Sequence, residues 1–159
     1  MKNKLMLFIL LLIIIFYSII YLLKIENISF NINNTKYYIL SDDAFISMKY
    51  ANNLIKGRGL VWNKNEKVEG YSNFLWVLWM ACLHIIPVGK NYVPGILQIS
   101  ILLINILTFI ILSKTTYEYI LYYSLLNSNR KKQLIIYSNI PSFLLSISSN
   151  FMGWSISGL

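Results

Sequence analysis

From Leu5 to Leu23 the chain runs without a single charged residue, and Lys2, Lys4 and Lys24 flank the run. About 20 apolar residues cross a bilayer as a helix, which satisfies its own backbone hydrogen bonds. No small-residue cleavage site follows, as a secretory signal would require. The run therefore predicts an uncleaved anchor over 1–24. Its lysine flank places the N-terminus in the cytoplasm of a bacterial-type inner (plasma) membrane. The rest of the chain agrees. Of 159 residues, 57% are hydrophobic and 13% charged, against about 25% charged in a soluble domain. The excess of apolar surface must face lipid. The net charge of +8 reads as cytoplasmic flanks rather than nucleic-acid binding.

Further apolar stretches set the topology. Val93–Leu112 is long enough to cross, and Leu134 to about Ser149 crosses if 150–154 extend it. Phe74–Val88 is short and ends at Pro87, with Trp76 and Trp79 suited to the headgroup level. Tyr117–Leu126 is expected along the interface. If Phe74–Val88 lies on the outer face, Lys114, Arg130, Lys131 and Lys132 fall inside, as the positive-inside rule prefers. The expected fold is all-α and polytopic, with about three transmembrane helices. An outer loop over 25–92 carries amphipathic and interfacial helices, and 93–159 holds two more spans joined by a basic cytoplasmic loop. Within the outer loop, Ser41–Lys56 patterns as a helix, with Ala44, Met48, Ala51 and Ile55 on one face. Ser41 can cap its start and Gly57 its end.

Few residues offer chemistry. Cys82 and His84 sit in an apolar stretch with no ligand spacing around them and read as packing residues. Asp42-Asp43 is the paired-carboxylate site. It can take a proton from a sugar hydroxyl or hold a divalent cation beside a phosphate. The same pair also simply complements the dipole of a helix start. Lys49, Arg58, Lys64 and Lys67 are cations that could meet a phosphate, while Glu66 and Glu69 are equally at home in a solvated loop. Asn27-Ile28-Ser29 and Asn33-Asn34-Thr35 match the N-glycosylation pattern, which chance explains in so asparagine-rich a chain.

Taken together, residues 42–76 resemble the first outer loop of bacterial GT-C glycosyltransferases. They are most similar to the group that includes the mycobacterial terminal arabinofuranosyltransferase. The matching residues are Asp42-Asp43-Ala44, Lys49-Tyr50-Ala51, Gly57, Gly59-Leu60-Val61, Glu69-Gly70-Tyr71-Ser72-Asn73 and Leu75-Trp76. Ser157-Gly158-Leu159 is similar to the family's Ser-Gly-Leu-Glu segment after the third span. Asn63-Lys64-Asn65-Glu66-Lys67 departs from the family's usual Asn-Pro-Gly-Glu-Arg. Full members have many more spans, so the resemblance implies an N-terminal fragment.

The resemblance implies transfer of a sugar from a polyprenyl-phosphate donor to a glycan, lipid or protein acceptor in cell-envelope biogenesis. Asp42 would be the base or its immediate partner, and Asp43 would orient the acceptor or a cation. Arg58, Lys49 and Lys67 would neutralise the donor phosphate. Glu69, Tyr71, Asn73 and Trp76 would shape the site near the lipid. The resemblance fixes no cofactor and leaves a divalent cation at Asp42 and Asp43 open. Two other outcomes stay open: a non-catalytic membrane interaction protein with a membrane-protein partner, and a degenerate remnant of such an enzyme.

Overall fold

A computed structural model describes residues 2–66, 68–124 and 136–158. It is mostly helical. In chain order the elements are α1 (Lys2–Ile28), β1 (Phe30–Ile32), β2 (Thr35–Tyr37), α2 (Asp42–Ile55), α3 (Phe74–His84), a 3-10 turn (Lys90–Tyr92), α4 (Val93–Ser124), α5 (Ile140–Ile147) and α6 (Ser149–Ser157). Two helices are long and apolar enough to cross a membrane, Lys4–Ile28 and Lys90–Tyr122. The chain divides into two compact units: Met1–Lys24 with Leu102–Gly153, and Ile25–Ile101 with Trp154–Leu159.

The first unit is built from apolar helices held at a few polar points. Leu10, Ile13, Tyr17 and Tyr21 form the buried stripe of α1, at the three- and four-residue spacing of one helix face. Leu7, Phe8, Leu11, Leu12, Ile15 and Phe16 are exposed. On α4, Asn105, Phe109 and Ser113 are buried at four-residue intervals. Asn105 Nδ2 donates to the Tyr17 hydroxyl at 2.8 Å, and the Tyr17 and Phe109 rings meet edge-on at 5.0 Å. Ser113 Oγ donates to Asn139 Oδ1 at 2.9 Å and lies 2.9 Å from Ser142 Oγ. Ser142 Oγ donates to the Phe109 carbonyl at 3.0 Å. Where helices are surrounded by lipid, small polar side chains of this kind supply the association that hydrophobicity cannot.

Two helical expectations change here. The tyrosine-rich stretch expected along the interface continues α4, which runs through Tyr117 to Ser124. No Gly or Pro interrupts 96–124, and Lys114 reaches Glu118 one turn on at 4.0 Å. The third expected span is not one long helix among the described residues. It breaks at Ser148, whose backbone is extended (φ −69°, ψ 113°). Ser148 Oγ accepts from the Phe151 amide at 3.3 Å, so the serine ends one helix and caps the next. The basic cluster Arg130–Lys132 lies outside the described residues.

The second unit has a hydrophobic core. Leu40, Ala44, Met48, Tyr50, Ala51, Val77, Met80, Ala81, Leu83, Val93, Leu97 and Ile101 cluster in it, with α2 packed against α3. Each fully buried aliphatic side chain contributes about 1.5–3 kcal/mol. The limits of α2 are those its capping residues dictate. Ser41 Oγ accepts from the Ala44 amide at 3.3 Å. At the far end Gly57 takes φ +69°, its amide bonds Leu54 O, and the Arg58 amide bonds Asn53 O. This is a Schellman motif, which a Cβ at the left-handed position would strain. Ile55 is exposed and Leu54 packs instead. Asn53 is also buried, because its Nδ2 donates to Val61 O and Trp62 O; that loop covers the end of α2. At 11 residues, α3 spans about 16 Å, too short to cross about 30 Å of hydrocarbon.

The all-helical expectation has one exception among the described residues. Phe30–Ile32 and Thr35–Tyr37 pair antiparallel with Ile32 opposite Thr35. Asn33 and Asn34 form the turn at φ 48° and 61°. Two positive φ values in succession are what a type I′ hairpin needs, and asparagine tolerates them. The dipeptide read as part of a glycosylation pattern is thus a turn. Phe30 stacks on Tyr37 at 5.5 Å, and Lys36 pairs with Glu26. That bond holds the Lys36 ammonium above its ordinary value; burial opposes it, while the charges of Glu26 and Tyr38 add to it.

The segment after Gly153 completes this unit. The Ser41 amide donates to Ser157 O at 2.8 Å. Trp76 Nε1 donates to Gly158 O at 3.0 Å, and Gln98 Nε2 to Ile156 O at 2.9 Å. Gly158 sits at φ +86°, and a Cβ there would come within 3.0 Å of Leu40 and 3.2 Å of Ala44.

Candidate functional site

The paired carboxylates open α2, and they do not share surroundings. Adjacent helical residues point about 100° apart, at 3.6 residues per turn. Both side chains are exposed, but only Asp43 lines a cleft. This cleft of about 190 Å³ is walled by Asp43, Ile46 and Ser47 from α2 and by the segment Gly70–Asn73. Asp43 and Ser47 stand one turn apart and so face the same way. Ser47 Oγ donates to Asn73 Oδ1 at 3.1 Å, which ties the start of α3 to α2. Tyr71 packs edge-on against Tyr50 at 5.0 Å, and the Tyr50 hydroxyl donates to Val68 O at 3.0 Å. One carboxylate, two serine hydroxyls and a carboxamide on a rigid wall can grip a polyhydroxylated ring.

A second cavity of about 290 Å³ adjoins it, sharing Ile46 and Gly70. Its other walls are Tyr50, Trp62, Glu66 and Val68. Aromatic and aliphatic surface dominates here, so a ligand bridging both cavities would have a polar part and an apolar part.

Of the residues expected at the site, Asp43, Tyr71 and Asn73 are brought together. Asp42, Glu69 and Trp76 do not line the cleft. Trp76 is spent on the hydrogen bond to Gly158 O. Lys49 lies over the Trp62 ring at 5.7 Å. Arg58 Nη1 reaches Asn53 Oδ1 at 3.4 Å, beyond the far end of α2. At 1.5 Å per residue, that end is about 20 Å from Asp43. Asn53, which Arg58 touches, is ten residues or about 15 Å along α2 from Asp43, and Arg58 does not line the cleft. Lys67 lies outside the described residues. Ser47, Ser72, Ile46 and Trp62 were not anticipated as lining; for Ser47 the signal was its position one turn after Asp43.

Lys56 is the C-cap of α2 at that far end. Lys56 is held below its ordinary value, first by burial and then by repulsion from Lys90, Arg58 and Lys49. Among the described residues no three His, Cys, Asp or Glu side chains converge on a possible metal position. Of the pair, only Asp43 lines the cleft.

No protein-family model, curated protein or solved structure matches this chain.

Proposed function

We propose that this chain is part of a membrane glycosyltransferase of the GT-C kind, with Asp43 as the base. The observation that carries the reading is the polar Asp43 cleft opening onto the aromatic cavity of Tyr50 and Trp62. A lipid-linked sugar presents those two chemistries in that order. In an inverting displacement the acceptor oxygen bonds the anomeric carbon as the bond to the carrier phosphate breaks. The acceptor proton passes to a carboxylate within hydrogen-bond reach. In this reading Asp43 takes that proton, with Ser47, Ser72 and Asn73 orienting the sugar. Asp42 acts through the helix start it shares with Asp43. Of the cations expected near the phosphate, Lys67 is nearest the cleft in the chain, three residues before Gly70.

The topology that goes with this reading has three crossings and an outer-face second unit. If α1 and α4 both cross, the chain leaves that unit through α4 and must return before Trp154 to complete it. The third crossing would use the segment containing α5. The extended Ser148 would then lie where protein, not lipid, surrounds it. The donor would be a polyprenyl-phosphate sugar, and the acceptor a glycan, lipid or protein of the envelope.

The test is sugar transfer in membranes from cells carrying each change at the native locus, with a labelled polyprenyl-phosphate sugar as donor. Asp43→Asn should lower transfer about 100-fold or more, the lower end of what a general base supplies. Asp42→Asn should lower it less. Full transfer by Asp43→Asn, with normal membrane insertion, would end the catalytic reading and leave an interaction role for the cleft.

A further inference from the structure

The β1–β2 hairpin has two unlike faces. Residues directly opposite in antiparallel strands share a face, and neighbours along a strand alternate. With Phe30 opposite Tyr37 and Ile32 opposite Thr35, one face carries Phe30, Ile32, Thr35 and Tyr37. The other carries Asn31 and Lys36.

The polar face is committed within the second unit. Lys36 pairs with Glu26 in the last turn of α1, and its ammonium lies 5.5 Å from the centre of the Tyr38 ring. The apolar face is open. Phe30 stacks on Tyr37 at 5.5 Å and is still 44% exposed; Ile32, beside the turn, is 51% exposed. Two strands of three residues each are marginal in water by themselves.

The place of the hairpin in the chain names what covers that face. Lys4–Ile28 is long and apolar enough to cross a membrane, and Ser29 alone separates it from β1. At no more than about 3.6 Å per residue, Phe30 stands within about 7 Å of Ile28. The other such helix begins at Lys90, and the Lys90–Tyr92 turn packs on β2. A Cβ on Gly95, in the first turn of α4, would come within 2.8 Å of the Tyr38 ring. Gln98 Nε2 donates to Ile39 O at 3.0 Å. The hairpin thus stands where one apolar helix ends and the other begins. A bilayer crossed by both has its surface there.

We propose that the hairpin is an interfacial anchor, with Phe30, Ile32 and Tyr37 seated in the headgroup–acyl boundary and Asn31 on the water side. Aromatic and aliphatic side chains beside charged ones suit that level. A protein strand pairing with the hairpin would use a backbone edge of three residues and leave the apolar face uncovered. The proposal rests on α1 and α4 crossing the bilayer, as proposed, and not on sugar transfer. Its effect is to fix the depth at which the second unit meets the membrane.

The test places a nitroxide at one position at a time in the full chain, in vesicles of phosphatidylcholine and phosphatidylglycerol. Cys82, which is exposed, is first replaced by Cys82→Ser. Collisions with oxygen report lipid, and collisions with a nickel chelate report water. Ile15→Cys, on the exposed face of α1, reads the crossing itself and should lie deep. Ile32→Cys should read about 5–10 Å into the boundary, and Asn31→Cys should read water. Thr35→Cys shares the face of Ile32 and keeps Phe30 and Ile32 intact, so it should also read lipid. Adding Ile32→Asp should return the Thr35 label to water while the Ile15 label keeps its depth, which separates a lost anchor from a lost fold.

Water at Ile32 and Thr35 with Ile15 deep would overturn the anchor and leave the crossing standing. Water at Ile15 would overturn both. Few collisions with either reagent at Ile32 would overturn the anchor in favour of a protein surface, a second copy included. Lipid at Asn31 as at Ile32 would overturn the two-faced arrangement.

Discussion

In the first unit the side chains that hold helix to helix are Asn105, Ser113, Asn139 and Ser142; in the second they are Ala44, Met48, Val77, Met80 and Leu97. The first exposes Leu, Ile and Phe over most of α1, and beside its buried Leu10, Ile13, Tyr17, Tyr21 and Phe109 it buries several hydroxyls and amides. The second gathers a larger apolar cluster, though Leu75, Ile85 and Ile86 stay exposed, and fixes its helix ends with Ser41 and Gly57. If the first unit lies in lipid, the contrast follows from what each solvent rewards. Water drives apolar surface together at about 25 cal/mol per Å², whereas lipid gives no such drive and leaves polar contacts to decide.

Substitutions read separately in each unit, by hydrogen exchange of its own peptides, would break or sharpen that contrast. The largest loss should come from Met80→Ala, which opens a cavity in the second unit at about 2–5 kcal/mol. Protection there should fall, and Leu11→Ala, on the exposed face of α1, should change little. A comparable loss from Leu11→Ala would mean that α1 packs in a way the contrast denies. Next is Gly158→Val, which must hold a branched side chain at φ +86° against Leu40; about 1–3 kcal/mol is expected, with deprotection at the start of α2. Gly57→Ala should cost about 1 kcal/mol through the left-handed cap. Asn139→Ala removes the acceptor of Ser113 and should cost about 0.6 kcal/mol, the usual size of a polar contact between membrane helices. A loss above that of Met80→Ala would make the polar cluster the stronger of the two devices.

The smallest effect is electrostatic and has opposite signs at two lysines. Lys36 should titrate above 10.5 and Lys56 below it, measured by NMR of labelled lysine side chains. The Lys36 pair supports the hairpin at neutral pH, and that support is lost as pH rises through the raised value. The crowding at Lys56 costs stability while it is charged and is relieved as pH rises through the lowered value.

Features that depend on local chemistry were legible in the sequence. The long apolar helices follow from hydropathy, and the limits of α2 follow from Ser41 and Gly57. Asn33-Asn34 carried an equally local signal that a glycosylation pattern obscured. The cleft was half legible. Its segments, at 43–47 and 70–73, stood out, but which of two adjacent aspartates faces inward depends on how α2 rotates against α3. Val77 and Met80, which α3 contributes to their shared core, are distant in the chain. Arg58, expected near the donor phosphate, stands past the far end of α2, because a linear motif hides the length of a 14-residue helix.

The tie between Trp76 and Gly158 joins residues 82 positions apart, and Ser41, which meets Ser157, is made earlier still. At about 5–20 residues per second of synthesis, the indole waits roughly 4–16 s for its acceptor. During that interval the start of α2 stands without its lid and the core around Leu40 and Ala44 is open on one side. A nascent chain stalled before Trp154 should therefore be open to protease at 38–44, and one released after Gly158 should not.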